Sequence, residues 1–396
     1  MVETHSESVH APSAPRVLFV GGPDVDARLD LMHRLSDSFV VSALGSAPEL
    51  GARFSREGFD YSAYRLARKA NPLLDSITVG QVLLILRRLR PRIVHTFDSK
   101  PGVWVRLGAR MAGVPIVVGT LPGLGSLYAS DRLMTRLIRF VYEKLQTLAC
   151  RVSDITIFQN HDDARQFVAA GIVSQKKTAV ILGSGVATDL YAPSQVSKSE
   201  RDRLRRELGI QPNAIVVSMV GRVIRSKGVL EFMAAAQKVS DSDPNARFLL
   251  VGADDNESLD RLRAEELAQL RQTLIWPGPR QDIPAVLAIS DIFVLPSAYR
   301  EGIPRVLLEA ASMALPIITT DSPGCREVVT HGVNGLLVPP RDSESLSQAI
   351  VNLIRSPDLR SRFGKNSRLR AVECFDLSVI SDQVRSIYQE LLASSE

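Results

Sequence analysis

Val216-Val217-Ser218-Met219-Val220-Gly221-Arg222-Val223-Ile224-Arg225-Ser226-Lys227-Gly228 decides the fold. Its first five residues are apolar or small with no alternation, the pattern of a strand covered on both faces of a parallel sheet. A glycine ends the strand, and Arg222 and Lys227 stand in the turn that leads to a helix. Further along comes Glu301-Gly302-Ile303-Pro304-Arg305-Val306-Leu307-Leu308-Glu309. Pro304 is placed to be the first residue of a helix, where its missing N–H costs nothing. The start of that helix offers unpaired N–H groups and the positive end of a dipole, both favourable to a phosphate. Gly302, with no Cβ, lets the backbone come close to an anion. Two cations after one strand and two carboxylates around a helix start suit a nucleotide-diphosphate sugar. The cations neutralise the leaving diphosphate and the carboxylates hold hydroxyl groups.

Outward from this stretch the second half alternates short β-branched runs with amphipathic segments. Strands are expected at 216–220, 247–251, 274–276, 292–295, 316–320 and 336–338, with helices at 230–239, 259–270 and 283–289. Asp282 before Ile283-Pro284 reads as a helix cap. The first half repeats the pattern more loosely, with strands at 16–20, 39–43, 93–97, 115–119, 155–158 and 179–182. The fold class is α/β: two doubly wound, Rossmann-like domains facing each other across a cleft. Residues 1–14 are expected to be a disordered tail and 15–186 the first, acceptor-binding domain. Residues 187–376 form the donor-binding domain, with Gly183–Tyr191 as the linker region, and 377–396 a terminal helix. Ligands sit beyond the carboxyl ends of such strands. That rule puts Gly21, Gly22, residues 95–100 and 120–127, Asn160 and residues 183–185 on one rim, and Arg222, Gly252, Gly278, residues 297–302 and residues 321–324 on another.

The chain has 396 residues, 45% of them apolar and 23% charged, as in a globular protein of two domains. No apolar run reaches the ~18 residues of a spanning helix. Three cysteines, Cys150, Cys325 and Cys374, with no CxxC, read as reduced thiols. Residues 1–185 carry 23 Lys and Arg against 16 Asp and Glu, whereas the rest carries 25 against 27. A basic first half points to an anionic membrane surface, since no nucleic-acid motif accompanies it. Two stretches suit that surface. Val82 to Arg90 is apolar then basic, and Asp131 to Val141 places Arg132, Arg136 and Arg139 at helical spacing.

The Arg222/Lys227 turn and the Glu301/Glu309 pair together resemble the retaining glycosyltransferases of family 4, which have the GT-B fold. The resemblance implies that Glu301 lies near the transferred sugar and Glu309 grips the nucleotide ribose. It also implies that the terminal helix crosses back to the first domain and that the anomeric configuration is retained. The turn Asp321-Ser322-Pro323-Gly324-Cys325-Arg326-Glu327 resembles the family's loop beside the donor. Many members carry a histidine where Pro122 stands here, so that histidine does not carry over. The glycine-rich Gly119–Ser126 segment, His95-Thr96-Phe97-Asp98-Ser99-Lys100-Pro101-Gly102 and Phe158-Gln159-Asn160 are similar to those of members that assemble bacterial polysaccharides and glycans.

The candidate catalytic residues are therefore Arg222, Lys227 and Glu301. The candidate donor-binding residues are Gly21, Gly22, Gly221, Gly302, Ile303, Pro304, Arg305, Glu309 and Gly324. His95, Asp98, Lys100, Gly123, Gly125, Ser126 and Asn160 are the acceptor candidates. No cofactor or metal is expected: Asp24-Val25-Asp26 and Asp241-Ser242-Asp243 have Asp-x-Asp spacing, but such short patterns arise by chance. The expected activity is transfer from a UDP-sugar to a lipid-diphosphate-linked saccharide at the cytoplasmic face of a membrane. The rivals are a nucleotide-sugar 2-epimerase and a silent sugar-nucleotide-binding subunit.

Overall fold

The computed structural model describes residues 14–66, 72–128, 133–258, 260–298 and 300–395. The expected tail, except Ala14, lies outside these residues, as do Asp131 and Arg132 of the basic helix. The chain divides into two compact units, one of residues 1–122, 131–181 and 381–396, the other of residues 123–130 and 182–380.

The first unit is built on a seven-stranded sheet of β1 (Arg16–Val20), β2 (Val40–Gly45), β3 (Tyr61–Ala63), β4 (Ile93–Thr96), β5 (Ile116–Leu121), β6 (Ile155–Phe158) and β7 (Thr178–Val180), in the order β3-β2-β1-β4-β5-β6-β7. The second unit has a six-stranded sheet of β8 (Ile215–Val220), β9 (Ala246–Val251), β10 (Ile275–Gly278), β11 (Ile292–Leu295), β12 (Ile317–Thr320) and β13 (Gly335–Val338), in the order β10-β9-β8-β11-β12-β13. Every strand pair is parallel. In each sheet the order reverses once, between β1 and β4 and between β8 and β11. The loops beyond that point diverge and leave a crevice. Gly21-Gly22 and Phe97-Asp98 flank the first crevice, and Gly221-Arg222 and Ser297 flank the second.

Central strands carry continuous apolar runs because helices cover both faces. Phe293, Val294, Leu295, Ile317 and Ile318 are fully buried, each contributing roughly 1.5–3 kcal/mol. The three-residue edge strand β3 was not expected from the sequence. The helix expected at 259–270 starts later, at Ala264, and runs to Thr273. Asp282 occupies the cap position of Ile283–Ala288 but caps nothing, because both its oxygens accept from Arg280, at 2.7 and 2.8 Å. Pro304 stands one residue before the helix Arg305–Ser312, with φ −60° and ψ 119°, rather than as its first residue.

The domain edges also move. The main stretch of the second unit begins at Leu182, ahead of the expected boundary, and is tied in where the Val186 N–H donates to the Phe375 carbonyl (2.9 Å) and the Leu377 N–H to the Val186 carbonyl (3.0 Å). Within the helix Leu377–Ala393, residues from Ser381 onward group with the first unit. There Tyr388 is fully buried, edge-on to Phe39 with ring centres 5.4 Å apart.

Candidate active site

In the second unit β8 is followed by Gly221, whose Cβ position faces open space. Its carbonyl is so close to Gly252 that a Cβ on Gly252 would lie 1.7 Å from the oxygen. After Arg222 the chain runs extended to a short turn at Arg225–Lys227 and then to Gly228, left-handed at φ 79°. A Cβ on Gly228 would lie 2.1 Å from the Pro296 carbonyl, so the turn after β8 sits directly on the loop after β11. One further bond joins these segments, from the Ala298 N–H to the Ser226 carbonyl at 2.9 Å, and Ser297 Oγ lies 3.3 Å from the same carbonyl.

This stitching brings Lys227 to Glu301. The Lys227 ammonium donates to Glu301 Oε2 at 2.5 Å, and the two side chains are only 13% and 15% exposed. Ser297 Oγ donates to the other oxygen, Oε1, at 2.8 Å. Arg222 does not join them: its guanidinium, 61% exposed, donates to Asp255 at 3.1 Å. Arg225 turns away to Glu266. Ser297 stands on the rim that the strand-end rule gives for the second sheet, whereas Asp255, the partner of Arg222, was not expected from the sequence.

Three glycines meet around the Glu301–Gly302 peptide. A Cβ on Gly324, at φ 85°, would fall 1.6 Å from the Gly302 carbonyl oxygen, and one on Gly123 2.3 Å from the Gly302 nitrogen. Gly125 N–H donates to the Arg300 carbonyl at 2.9 Å. Gly123 and Gly125, expected on the acceptor rim of the first domain, thus belong to the second unit and pack on the backbone of residues 300–302. Beside them burial, and then the charge of Glu301, push the Cys325 thiol pKa up.

Ile303 is buried, and Gly183 is close enough that an added Cβ would meet the Ile303 Cβ at 3.2 Å. Glu309 is buried on the inner side of its helix, with its carboxyl pKa raised by burial and partly restored by Arg305 and Tyr191. Arg305 Nε donates to it at 3.1 Å. Tyr191, read only as the end of the linker, is in fact its partner.

The first unit rearranges the acceptor candidates. Asp98 has φ 73° and ψ 162°, a conformation nearly confined to glycine. Its Oδ2 accepts from the Gly22 N–H at 3.2 Å, while Tyr64 OH donates to the Gly21 carbonyl at 2.9 Å. Burial raises the Asp98 pKa, and the neighbouring Asp24 raises it further. Asp98 is thus a strained, hard-to-ionise carboxyl at the sheet's crevice.

His95, by contrast, is a core residue. One ring nitrogen faces Tyr388 OH at 2.5 Å and the other Thr120 Oγ1 at 2.7 Å. Burial, then Arg28, lowers its pKa to about 3, so it is neutral and has no nitrogen left for a substrate. Lys100 is ion-paired at 2.8 Å to the buried Asp75. Asn160 caps the helix His161–Ala169, its Oδ1 accepting from the Asp163 N–H at 2.8 Å and its Nδ2 donating to Asp163 Oδ2 at 2.9 Å. The Ser126 side chain lies outside the described residues. Of the Asp-x-Asp pairs, Asp26 is taken by Arg53 and Asp243 by Arg355.

With this geometry in view, comparison with known proteins is specific. The profile of the family described as glycosyl transferases group 1 matches residues 200–370, which hold all three catalytic candidates. The chain is 30% identical over 333 residues to the UDP-Gal:alpha-D-GlcNAc-diphosphoundecaprenol alpha-1,3-galactosyltransferase of Escherichia coli, covering 83% of each. It is 28% identical over 337 residues to the N,N'-diacetylbacillosaminyl-diphospho-undecaprenol alpha-1,3-N-acetylgalactosaminyltransferase of Campylobacter jejuni, covering 85% of this chain and 87% of that one. Among solved structures, a glycosyltransferase from Rickettsia africae superposes with a TM-score of 0.79 at 18% identity, over 96% of this chain and 99% of that one.

Proposed function

The chain belongs to the group 1 glycosyl transferases and has their two-Rossmann GT-B fold, and on that premise we propose that it moves a hexose or N-acetylhexosamine from a UDP-sugar onto a lipid-diphosphate-linked saccharide, with retention, in surface polysaccharide or glycan assembly. One observation carries the choice of substrates. Both named relatives act on a sugar joined to diphosphoundecaprenol, and each matches more than four-fifths of this chain, acceptor unit included.

In the proposed step the acceptor hydroxyl attacks the anomeric carbon on the face from which the diphosphate departs. The bond from that carbon to the phosphate oxygen breaks, and the hydroxyl proton passes to the departing phosphate. Charge grows on the phosphate, so fixed cations there are the strongest lever. Lys227 supplies one, exchanging its Glu301 partner for a phosphate oxygen. Arg222, long and exposed, supplies a forked second. Glu301, still held by Ser297, is then released toward the sugar hydroxyls. Glu309, set by Arg305 and Tyr191, takes the ribose hydroxyls. Asp98 is assigned to the acceptor side.

A lipid-linked acceptor calls for a membrane surface, and the helix Leu133–Val152 offers one. Its second half is anchored through Gln146, whose Oε1 accepts from the fully buried Arg106 at 2.6 Å. Its first half is exposed nearly all round: Leu133 is 83% exposed, and Met134, Leu137, Ile138, Phe140 and Val141 also face solvent, with Arg136 among them. Such a segment suits the interface of an anionic bilayer. In the described residues no helix is long and apolar enough to cross a membrane.

The decisive assay follows UDP-sugar consumption with and without a lipid-diphosphate-linked saccharide. Transfer predicts turnover only with acceptor and a lengthened glycan. Turnover without acceptor would replace transfer by epimerisation, and UDP binding with no turnover would make the chain a silent subunit.

A further inference from the structure

The turn that carries Lys227 is tied down by one stretch of chain, the segment between β9 and the helix Ala264–Thr273. Where the chain leaves β8, the Val223 N–H donates to the Ala253 carbonyl at 2.9 Å, and Ile224 pairs with Arg261. At the turn itself the Arg225 N–H donates to the Asp260 carbonyl at 3.0 Å and the Ser226 N–H to Asp260 Oδ2 at 2.6 Å. Two successive peptide donors thus end on one residue. The Arg225 guanidinium is held by Glu266, and the Arg222 guanidinium by Asp255. More of the Arg222–Asp255 pair is exposed than of the Arg225–Glu266 pair. The segment therefore sets carboxylates at 255, 260 and 266 along a turn with cations at 222, 225 and 227. Asp260 and Glu266 brace the frame of the turn, whereas Asp255 takes up the exposed guanidinium.

We propose that this segment sets the two cations in opposite senses: Asp260 is a positioning residue that fixes the peptide carrying Lys227, and Asp255 holds Arg222 aside until a diphosphate displaces it. The proposal rests on the reading above that both cations meet the donor's diphosphate. A lysine carries its charge on a flexible four-carbon stem, so its reach is defined only where its own backbone is fixed. Lys227 has to exchange Glu301 for a phosphate oxygen without its peptide following. Without the Asp260 side chain the Ser226 N–H loses its charged acceptor, and a misplacement of about 1 Å is enough to slow a reaction about a hundred-fold. Asp255 works the other way. It competes with the donor for Arg222, so binding a diphosphate has to break one exposed ion pair. The same segment speeds departure of the leaving group and weakens donor binding.

Steady-state kinetics, UDP calorimetry and thermal midpoints are measured on single and paired variants of the full-length protein. Asp260→Ala should lower turnover at saturating donor about ten-fold, the scale of one hydrogen bond to a charged group, with the donor KM nearly unchanged. Asp260→Asn, which keeps an acceptor oxygen for the Ser226 N–H, should recover most of that loss. In a Lys227→Ala background Asp260→Ala should cost little more, because the two act through one ammonium. An equal ten-fold loss there, with a lowered thermal midpoint, would mean general loosening and overturns the positioning role. So does full turnover in Asp260→Ala where Lys227→Ala is slow. Asp255→Asn should tighten UDP binding about three-fold, the scale of an exposed ion pair, and the gain should vanish in an Arg222→Ala background. Unchanged or weaker UDP binding in Asp255→Asn overturns its part. Wild type that binds UDP without transferring sugar would count against the glycosyl-transfer reading, and the Asp255 comparison would still decide whether Arg222 is held aside.

Discussion

Acidification should loosen the first unit through a single imidazole. His95 is sealed between Tyr388 and Thr120, and burial lowers its pKa from 6.5 to about 3. Between those two values the unfolded chain binds a proton that the folded chain refuses. The stabilisation is therefore complete above the unfolded pKa and is lost as pH falls toward the folded one. At ~1.36 kcal/mol per unit, descending about 1.5 units below 6.5 should remove about 2 kcal/mol. The chain's two tryptophans fall one in each unit, Trp104 in the first and Trp276 in the second. In a Trp276→Phe background, urea unfolding followed by Trp104 reports on the first unit alone. His95→Gln keeps hydrogen-bonding groups for Thr120 and Tyr388 but cannot titrate. From near-neutral pH to about pH 5, the parent should lose about 2 kcal/mol more than the Gln variant. Parallel pH profiles, or a His95 resonance titrating near its ordinary value, would refute the reasoning.

Replacing Lys227 by Ala should lower turnover at saturating donor by roughly 3–4 kcal/mol of barrier, and Arg222→Ala similarly, with the double variant costing less than the sum; near-normal kcat in either would reduce that residue to a structural cation. Glu309→Ala should weaken UDP binding by roughly 1.5–3 kcal/mol in calorimetry, and unchanged affinity in a folded variant would remove Glu309 from the ribose. Gly324→Ala would drive a Cβ to 1.6 Å from the Gly302 carbonyl, so UDP affinity and the melting point of the second unit should both fall, whereas unchanged values would contradict the packing described. Chelation with EDTA should leave turnover intact; loss restored by manganese or magnesium would return attention to Asp24 and Asp26.

The second unit was readable in the sequence because its strands are buried on both faces and its glycines punctuate them. Strand β11 matches the expected residues without adjustment. Edge strand β3, three residues long and only partly covered, gives no comparable signal. His95 was misplaced for a related reason. The strand-end rule locates a residue along its strand but not the face it takes, and the helix from residue 381 onward that seals His95 is almost 300 positions away (His95 and Tyr388 are 293 apart). Gly123 and Gly125 were assigned by chain order to the first domain, yet backbone contacts with Arg300 and Gly302 hold them in the second. Arg222 and Lys227 look equivalent on paper. Their different carboxylate partners, Asp255 and Glu301, come from other loops and follow only from the fold.

The meeting of Gly123, Gly302 and Gly324 has a mechanical consequence. Peptide planes rest on peptide planes there, with no side chain between them to change rotamer and absorb a displacement. In the proposed step, in which a phosphate draws Lys227 off Glu301, any recoil of the Glu301–Gly302 peptide would be passed whole to residues 123–125 and to the turn at 324. The three segments act as one stiff part assembled from distant pieces of chain. A Cβ at either outer glycine would be a wedge that holds the part open.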